Sequence, residues 1–544
     1  MRNNKFIIVF YISILIVSIP VIGQSSKQST IKGALKNPNI LFIAIDDLKP
    51  LLGCYGDDYI QTPHIDQLAK QSVVFTKAYC QQAVCGPSRA SIMTGMRPDY
   101  TGVWDLATRM RDVNPDILAM PQYFKQNGFN TVAVGKVYDS RSVDKQYDAQ
   151  SWTIPYSESK KLHYSDELGE PAMDYYVLEK NRKLVEKYKK EAKEKGVDNV
   201  KNYVRKYFKP TTECADVPDN AYPEGQFANN ALRYMRQFSK EDKPFFLSVG
   251  FRRPHLPFVA PKKYWDLYQR EEVPLAPYQK PVKNGVDLAY HTYGEMRNYS
   301  DIPDLKSFSD IFSDLLPESK QRELVHGYHA AVSYVDAQVG KLLAELEVLG
   351  LKENTIIVLW GDHGWHLGDH ALWCKHSNFE NATRVPLLCS IPGEPSGRYE
   401  HPVELLDVFP TLCAATNLKI PTQLQGINLI PAMNNLDAKV KKYAVSQYRR
   451  NSKMRTFGYS IRNDRYRLTL WMKDFYRLYE PFDESYIVAA ELYDYKKDPL
   501  ETENFYDDKE YSEVRSDMLA HFKNFALQQN IELKTSKANK QIKQ

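Results

Sequence analysis

Asn39-Ile-Leu-Phe-Ile-Ala-Ile45 is apolar from its second residue on, and Asp46-Asp47 follows it directly. An apolar run without alternation predicts a strand covered on both faces. Working outward, Thr131–Val134 has the same character and leads into Gly135-Lys136. Phe245–Val249 leads into a loop carrying His255, and Thr355–Leu359 into Gly361-Asp362-His363. Helical patterns lie between them. The clearest runs from about Gln321 to Leu349, where Val325, Tyr328, Val332, Val335, Val339, Leu342 and Leu346 recur at three- and four-residue steps. Gly350 stands where a C-terminal cap glycine belongs. Strands alternating with helices predict an α/β domain on a mainly parallel sheet. In open α/β sheets the site lies beyond the carboxyl ends of the strands. Asp46, Asp47, Lys136, His255, Asp362 and His363 are therefore expected to converge.

The chain has 544 residues, enough for two domains, one of them large. Apolar residues make up 43% and charged residues 26%, which excludes a disordered, fibrous or polytopic membrane chain. The net charge of +5 marks no nucleic-acid binder. Arg2 and Lys5 precede an apolar run from Phe6 to Ile22, read as a secretory signal peptide over residues 1–23. The alternative is a membrane anchor; Pro20 and the polar residues after Gly23 favour cleavage, so no stable membrane insertion is expected. The protein is then exported, periplasmic or secreted. The catalytic domain is expected over residues 37–437. Residues 180–209 hold twelve Lys or Arg against four acids and read as a basic helical insertion. It is either a contact for a polyanion or a solvated helix face. Tyr459-Ser-Ile-Arg462, Tyr466–Trp471 and Glu491-Leu-Tyr-Asp494 predict short antiparallel strands in a smaller α+β subdomain over 438–530. Residues 531–544 read as a disordered basic tail.

Two adjacent carboxylates at a buried strand end repel and need a counter-charge. A divalent cation supplies it, and oxygen ligands favour calcium or magnesium. A solvated turn is the plainer alternative. Asp362-His363 repeats the arrangement. His366 and His370 are four apart, a zinc spacing, but Gly364 and Gly368 make a helix there doubtful. The seven cysteines cannot all pair. One of them, Cys85, opens Cys85-Gly-Pro-Ser-Arg89-Ala-Ser-Ile-Met-Thr-Gly95.

That stretch resembles the signature of the type I sulfatases, in the alkaline-phosphatase-like superfamily. The likeness continues through Arg97-Pro-Asp99, Pro121–Gly128, Gly135-Lys-Val-Tyr138, Glu213–Asp219 and Arg253-Pro-His-Leu-Pro-Phe258. Asp362-His-Gly-Trp365, Trp373-Cys-Lys-His-Ser-Asn-Phe379, Tyr459–Arg462 and Glu491–Tyr493 extend it, and the series points to the iduronate-2-sulfatase branch. The resemblance implies an alkaline-phosphatase-like fold. It implies that Cys85 is oxidised to formylglycine (3-oxoalanine) by a formylglycine-generating or anaerobic maturating enzyme. The aldehyde hydrate would attack sulfur and later release sulfate. The resemblance also implies one calcium ion on Asp46, Asp47, Asp362, His363 and modified Cys85. Arg89 would hold the modified side chain, Lys136 and Lys375 the sulfate oxygens, and His255 the leaving-group oxygen. Arg252 stands where relatives carry a substrate-facing histidine, and Asp139 where they carry another histidine. Cys214 matches a disulfide-bonded cysteine, but its partner position is missing. The expected substrate is a sulfated carbohydrate, with the 2-O-sulfate of a uronic acid in glycosaminoglycan or ulvan-type chains the first choice. Alternatives are a phosphonate monoester or phosphodiester hydrolase with the same nucleophile, or a non-catalytic carbohydrate-binding relative.

Overall fold

The computed structural model describes residues 35–541 apart from 293, 306–311, 451–454, 475 and 478–480. The proposed signal segment lies outside these residues. The central sheet has seven strands: β1 (Asn39–Ile45), β2 (Val73–Phe75), β3 (Asn130–Gly135), β4 (Phe245–Phe251), β5 (Thr355–Gly361), β6 (Leu387–Ser390) and β7 (Gly397–Tyr399). Their spatial order is β7-β2-β6-β5-β1-β4-β3. The four strands expected from sequence lie side by side as β5-β1-β4-β3, all parallel. Strand β6 runs antiparallel to both its neighbours.

The unbroken apolar run of β1 has a direct cause. Leu41, Ile43 and Ile45 face one core, against Phe227, Val325 and Tyr328. Ile40, Phe42 and Ala44 face another, against Ala90, Ile92 and Phe409. Fully burying a large apolar side chain is worth roughly 2–3 kcal/mol, so a strand buried on both faces is held twice over. Three helices border this sheet: α1 (Cys85–Thr94), α4 (Pro223–Phe238) and the long α5 (Glu318–Val348). Helix α5 begins after Pro317 and ends with Gly350 at φ +65°, the left-handed stop the sequence signals.

The basic stretch forms two helices, α2 (Glu179–Glu194) and α3 (Val200–Tyr207). Farther on, β8 (Ala444–Arg450), β9 (Thr456–Arg462), β10 (Tyr466–Met472) and β11 (Ile487–Asp494) make one antiparallel sheet in that order. Its core includes Phe457, Leu468, Leu492 and Phe522. Phe522 belongs to the last helix, α6 (Ser512–Gln541). No Gly or Pro interrupts residues 512–541, so helix occupies most of the stretch whose composition reads as a tail. Residues 542–544 lie outside the described residues.

Candidate active site

Cys85 opens α1, and the whole residue is 1% exposed. Its Sγ lies 3.3 Å from His363 Nε2 and 4.0 Å from Asp47 Oδ1. Burial, reinforced by Asp46, pushes the thiol well above its usual pKa. An unmodified thiol here is protonated at neutral pH and a poor nucleophile. One helical turn on, Arg89 is fully buried and gathers three strand ends. It donates from Nη2 to Asp46 Oδ1 (2.9 Å), after β1, and from Nε to Asp362 Oδ2 (2.9 Å), after β5. Its Nη1 donates to the carbonyls of Lys136 and Val137, after β3.

Three carboxylates meet in this cluster, each at most 1% exposed. Burial works against the charge on Asp46, but Lys136 and Arg89 hold its carboxyl well below the usual range. On Asp47 burial wins over His255 and Lys375, and its pKa rises. Asp47 turns the chain at φ +60°. That turn is held by its own N–H on Asp362 Oδ1 (3.0 Å) and by Tyr328 OH on its carbonyl (2.9 Å). His363 Nδ1 lies 3.0 Å from the Gly364 carbonyl, which can only accept. The other ring nitrogen, Nε2, faces Asp47 Oδ1 at 3.4 Å and Asp362 Oδ2 at 3.6 Å. Three buried carboxylates crowded together, with burial and Asp46 working against the charge on Asp47, favour a cation between them. The donor set of Asp46, Asp47, Asp362 and His363, with Cys85 adjoining, fits a hard divalent ion. Both groups of metal-capable side chains among the described residues fall in this cluster.

The strand-end loops add cations. Lys136 follows Gly135, which sits at φ +72° where a Cβ would stand 2.3 Å from the Gly250 carbonyl oxygen. At Gly250 a Cβ would stand 2.1 Å from the Lys136 backbone. This paired close approach sets Lys136 Nζ 2.6 Å from Asp46 Oδ2. Lys375 Nζ lies 2.9 Å from Asp47 Oδ1 and over the Trp365 ring. His255 Nδ1 faces the Leu256 carbonyl at 2.6 Å, and its Nε2 faces Glu295 Oε1 at 3.1 Å. The ring is thus held between two oxygen acceptors, which fixes its orientation. Glu295 also reaches Lys375 at 3.2 Å. Burial would raise its pKa, but Lys375 and His255 keep it well below the usual range.

All ten residues singled out from sequence thus lie in one region, on a cavity of about 750 Å³ or in its floor. Arg252 lines that cavity and packs its guanidinium over Phe227. Asp139 also lines it, and receives two bonds from the Arg141 guanidinium, at 2.9 and 2.7 Å. Despite burial, Arg141 and Lys136 hold Asp139 well below the usual carboxylate pKa. Glu295 was not foreseen, because it sits in a polar loop with no strand pattern near it. The zinc spacing fails: His366 Nε2 bonds Ser377 Oγ (2.9 Å), and His370 Nε2 faces the Leu500 carbonyl and its ring stacks on Phe379. Cys214 is exposed and forms no disulfide.

The sulfatase family profile matches residues 38–418, and that of the N-sulphoglucosamine sulphohydrolase C-terminal region matches 368–528. The chain is 34% identical to iduronate 2-sulfatase of Mus musculus, over 92% of this chain and 96% of the relative. It is 28% identical to an ulvan-active sulfatase of Formosa agariphila, over 79% and 72% of the two chains. A solved 2-O GAG sulfatase structure superposes with a TM-score of 0.61 at 21% identity, covering 92% of this chain and 94% of that one. That likeness shows the alkaline-phosphatase-like fold. The chain belongs to the sulfatase family of sulfuric ester hydrolases, in its iduronate-2-sulfatase-like branch.

Proposed function

We propose that the protein is an exported sulfatase acting on sulfated carbohydrate, with the 2-O-sulfate of a uronic acid as its target ester. The observation that carries this reading is the placement of Cys85 beside three buried carboxylates, ringed by Lys136, Lys375 and His255 at an open cavity. Similarity to iduronate 2-sulfatase and to an ulvan-active sulfatase supports the carbohydrate, as uronate ester or ulvan. Among the described residues no helix is long and apolar enough to cross a membrane.

Oxidised to formylglycine, Cys85 would supply an aldehyde hydrate, with one hydroxyl to attack sulfur and a second to release sulfate afterwards. Calcium on Asp46, Asp47, Asp362 and His363 would offset the carboxylates and polarise the sulfate. The rest falls to the chain itself. Lys136 and Lys375 pair with sulfate oxygens and neutralise charge on the transferring group. The Nε2–H of His255 donates its proton to the ester oxygen as the S–O bond breaks, so the sugar leaves as an alcohol. Glu295, 3.1 Å from Nε2, orients that ring. Asp139, locked to Arg141 and strongly ionised, is a weak base and serves to position Lys136.

Sulfate release from a panel of sulfated oligosaccharides, beside an aryl phosphodiester, tests the assignment. Release from 2-O-sulfated uronates is expected; a strong preference for the phosphodiester would overturn it. Mass spectrometry of the peptide holding Cys85 should show a loss of about 18 Da. An unmodified peptide from active protein would reject the nucleophile.

A further inference from the structure

Sequence alone leaves the basic stretch 180–209 between a polyanion contact and a solvated face. The structure divides it. On and just after α2, Lys183, Lys189, Lys190 and Lys195 pair with glutamates three or four residues away, in exposed positions. That half is a solvated face, and such pairs contribute little. Helix α3 differs. Arg205, Lys206 and Lys209 have no carboxylate partner among the described residues. They line a second cleft of about 580 Å³ with Arg297, and no acidic residue borders it. This cleft shares Arg205, Lys209, Asn298 and Tyr299 with the catalytic cavity, so the two are continuous.

We infer that the cleft of Arg205, Lys206, Lys209 and Arg297 is a subsite for a further anionic group, sulfate or carboxylate, on the same substrate chain. The inference rests on the sulfatase reading above and deepens it: the preferred substrate is a multiply charged oligosaccharide rather than a monosaccharide. Arg205 Nε is buried with no hydrogen-bond acceptor, a donor left for a ligand. The Lys209 ammonium sits 3.8 Å over the Tyr299 ring. Burial and neighbouring Arg205 bring Lys209 down to about 8. Glu295 offsets only part of the repulsion between these like charges, and an anion in the cleft relieves the rest. A guanidinium also matches sulfate or carboxylate with two parallel donors.

Binding and turnover separate the two readings. The full chain carrying Cys85→Ser is titrated with a sulfated tetrasaccharide bearing two or more extra anionic groups, and with a singly sulfated uronic acid monosaccharide. Lys206 and Arg297 are exposed and border only the second cleft. The pair Lys206→Gln and Arg297→Gln should weaken tetrasaccharide binding about tenfold or more, and monosaccharide binding less than about twofold. The tetrasaccharide affinity should also fall more steeply with salt in the parent than in the variant. Unchanged tetrasaccharide binding, or equal weakening of both ligands, overturns the subsite. If the selective loss appears while the chain with Cys85 intact releases no sulfate, the sulfatase reading fails and the anionic cleft stands.

Discussion

Arg89 touches strand ends that are far apart in sequence, and no other side chain type does this work. A lysine offers one compact charge in place of a planar fork. Asp46 would keep Lys136, but Arg89→Lys would leave Asp362 buried without its guanidinium, at a cost of about 3 kcal/mol or more. Urea unfolding checks this; an unchanged midpoint would show that the strand ends hold without the fork. Glu295 sets a second expectation. Glu295→Gln keeps an acceptor for His255 Nε2 but removes the charge that pairs with Lys375. The ring and the ammonium should lose their fixed positions, so kcat for sulfate release should fall about tenfold or more while the fold holds. An unchanged kcat would separate Glu295 from the reaction. Legibility in sequence is uneven at this scale. Asp46, Asp47, Asp362 and His363 show in the residues alone, because carboxylates at apolar strand ends are conspicuous. Lys375 needed the family resemblance, since a lone cation in a loop looks like any other; the strand pattern placed His255, but only the resemblance gave it a role. Glu295 carries no local signal, because its role comes entirely from partners 40 and 80 positions away.

The elements divide the same way. Strands β1, β3, β4 and β5 were readable because burial on both faces forces continuous apolar runs. The true strands extend one or two residues beyond those runs, into the glycines that bring Lys136 close to β4. Gly250→Ala tests that contact. Its new Cβ would have to displace backbone, so the variant should lose both stability, by about 2 kcal/mol or more, and sulfate release. Wild-type behaviour would mean the strand ends yield easily. Strands β2, β6 and β7 have three, four and three residues, too short for a period to show. Helix α5 makes a pH prediction. Burial lowers His329 to about 4, with its Nδ1 on the Val325 carbonyl. Unfolded histidine titrates near 6.5, so between about 6.5 and 4 the unfolded state takes up a proton the folded state refuses. The stability contribution is complete above about 6.5 and is lost as pH falls toward 4. It amounts to roughly 3 kcal/mol at most. His329→Met should flatten that part of the stability curve relative to wild type, and parallel curves would refute the assignment.

Across the whole molecule, buried polar links join the antiparallel sheet to the catalytic region. Arg97 forks onto Glu404 at 2.6 and 2.8 Å, and the Val445 N–H reaches the same carboxylate at 3.0 Å. Tyr459 OH donates to Asp99 Oδ2 (3.0 Å), and Arg467 Nη1 to Thr383 Oγ1 (3.0 Å). Breaking the contact would expose charges on both sides, so calorimetry should record one unfolding transition. Two resolved transitions would show that the halves unfold independently. If the proposed ion is calcium, adding it should raise the Tm of metal-stripped protein, because the separated carboxylates of the unfolded chain offer no such site. An unchanged Tm at millimolar calcium would count against the ion. The layered α/β architecture was legible from strand order alone. The position of the basic hairpin at the cavity mouth was not, because no periodicity says which loop a helix will overhang.

The burial of Cys85 also fixes an order of events in time. Its neighbour His363 lies 278 residues later in the chain, and the strands that wall in the cluster come from the intervening sequence. Until β5 has been synthesised and has docked, the segment around residue 85 has no walls; afterwards Cys85 is reached only through the cavity it lines. A protein catalyst of the proposed oxidation would therefore have to work on the nascent or incompletely folded polypeptide, because the cavity admits a sugar but not a protein. Folding that outruns it would yield a native-looking protein trapped without its nucleophile.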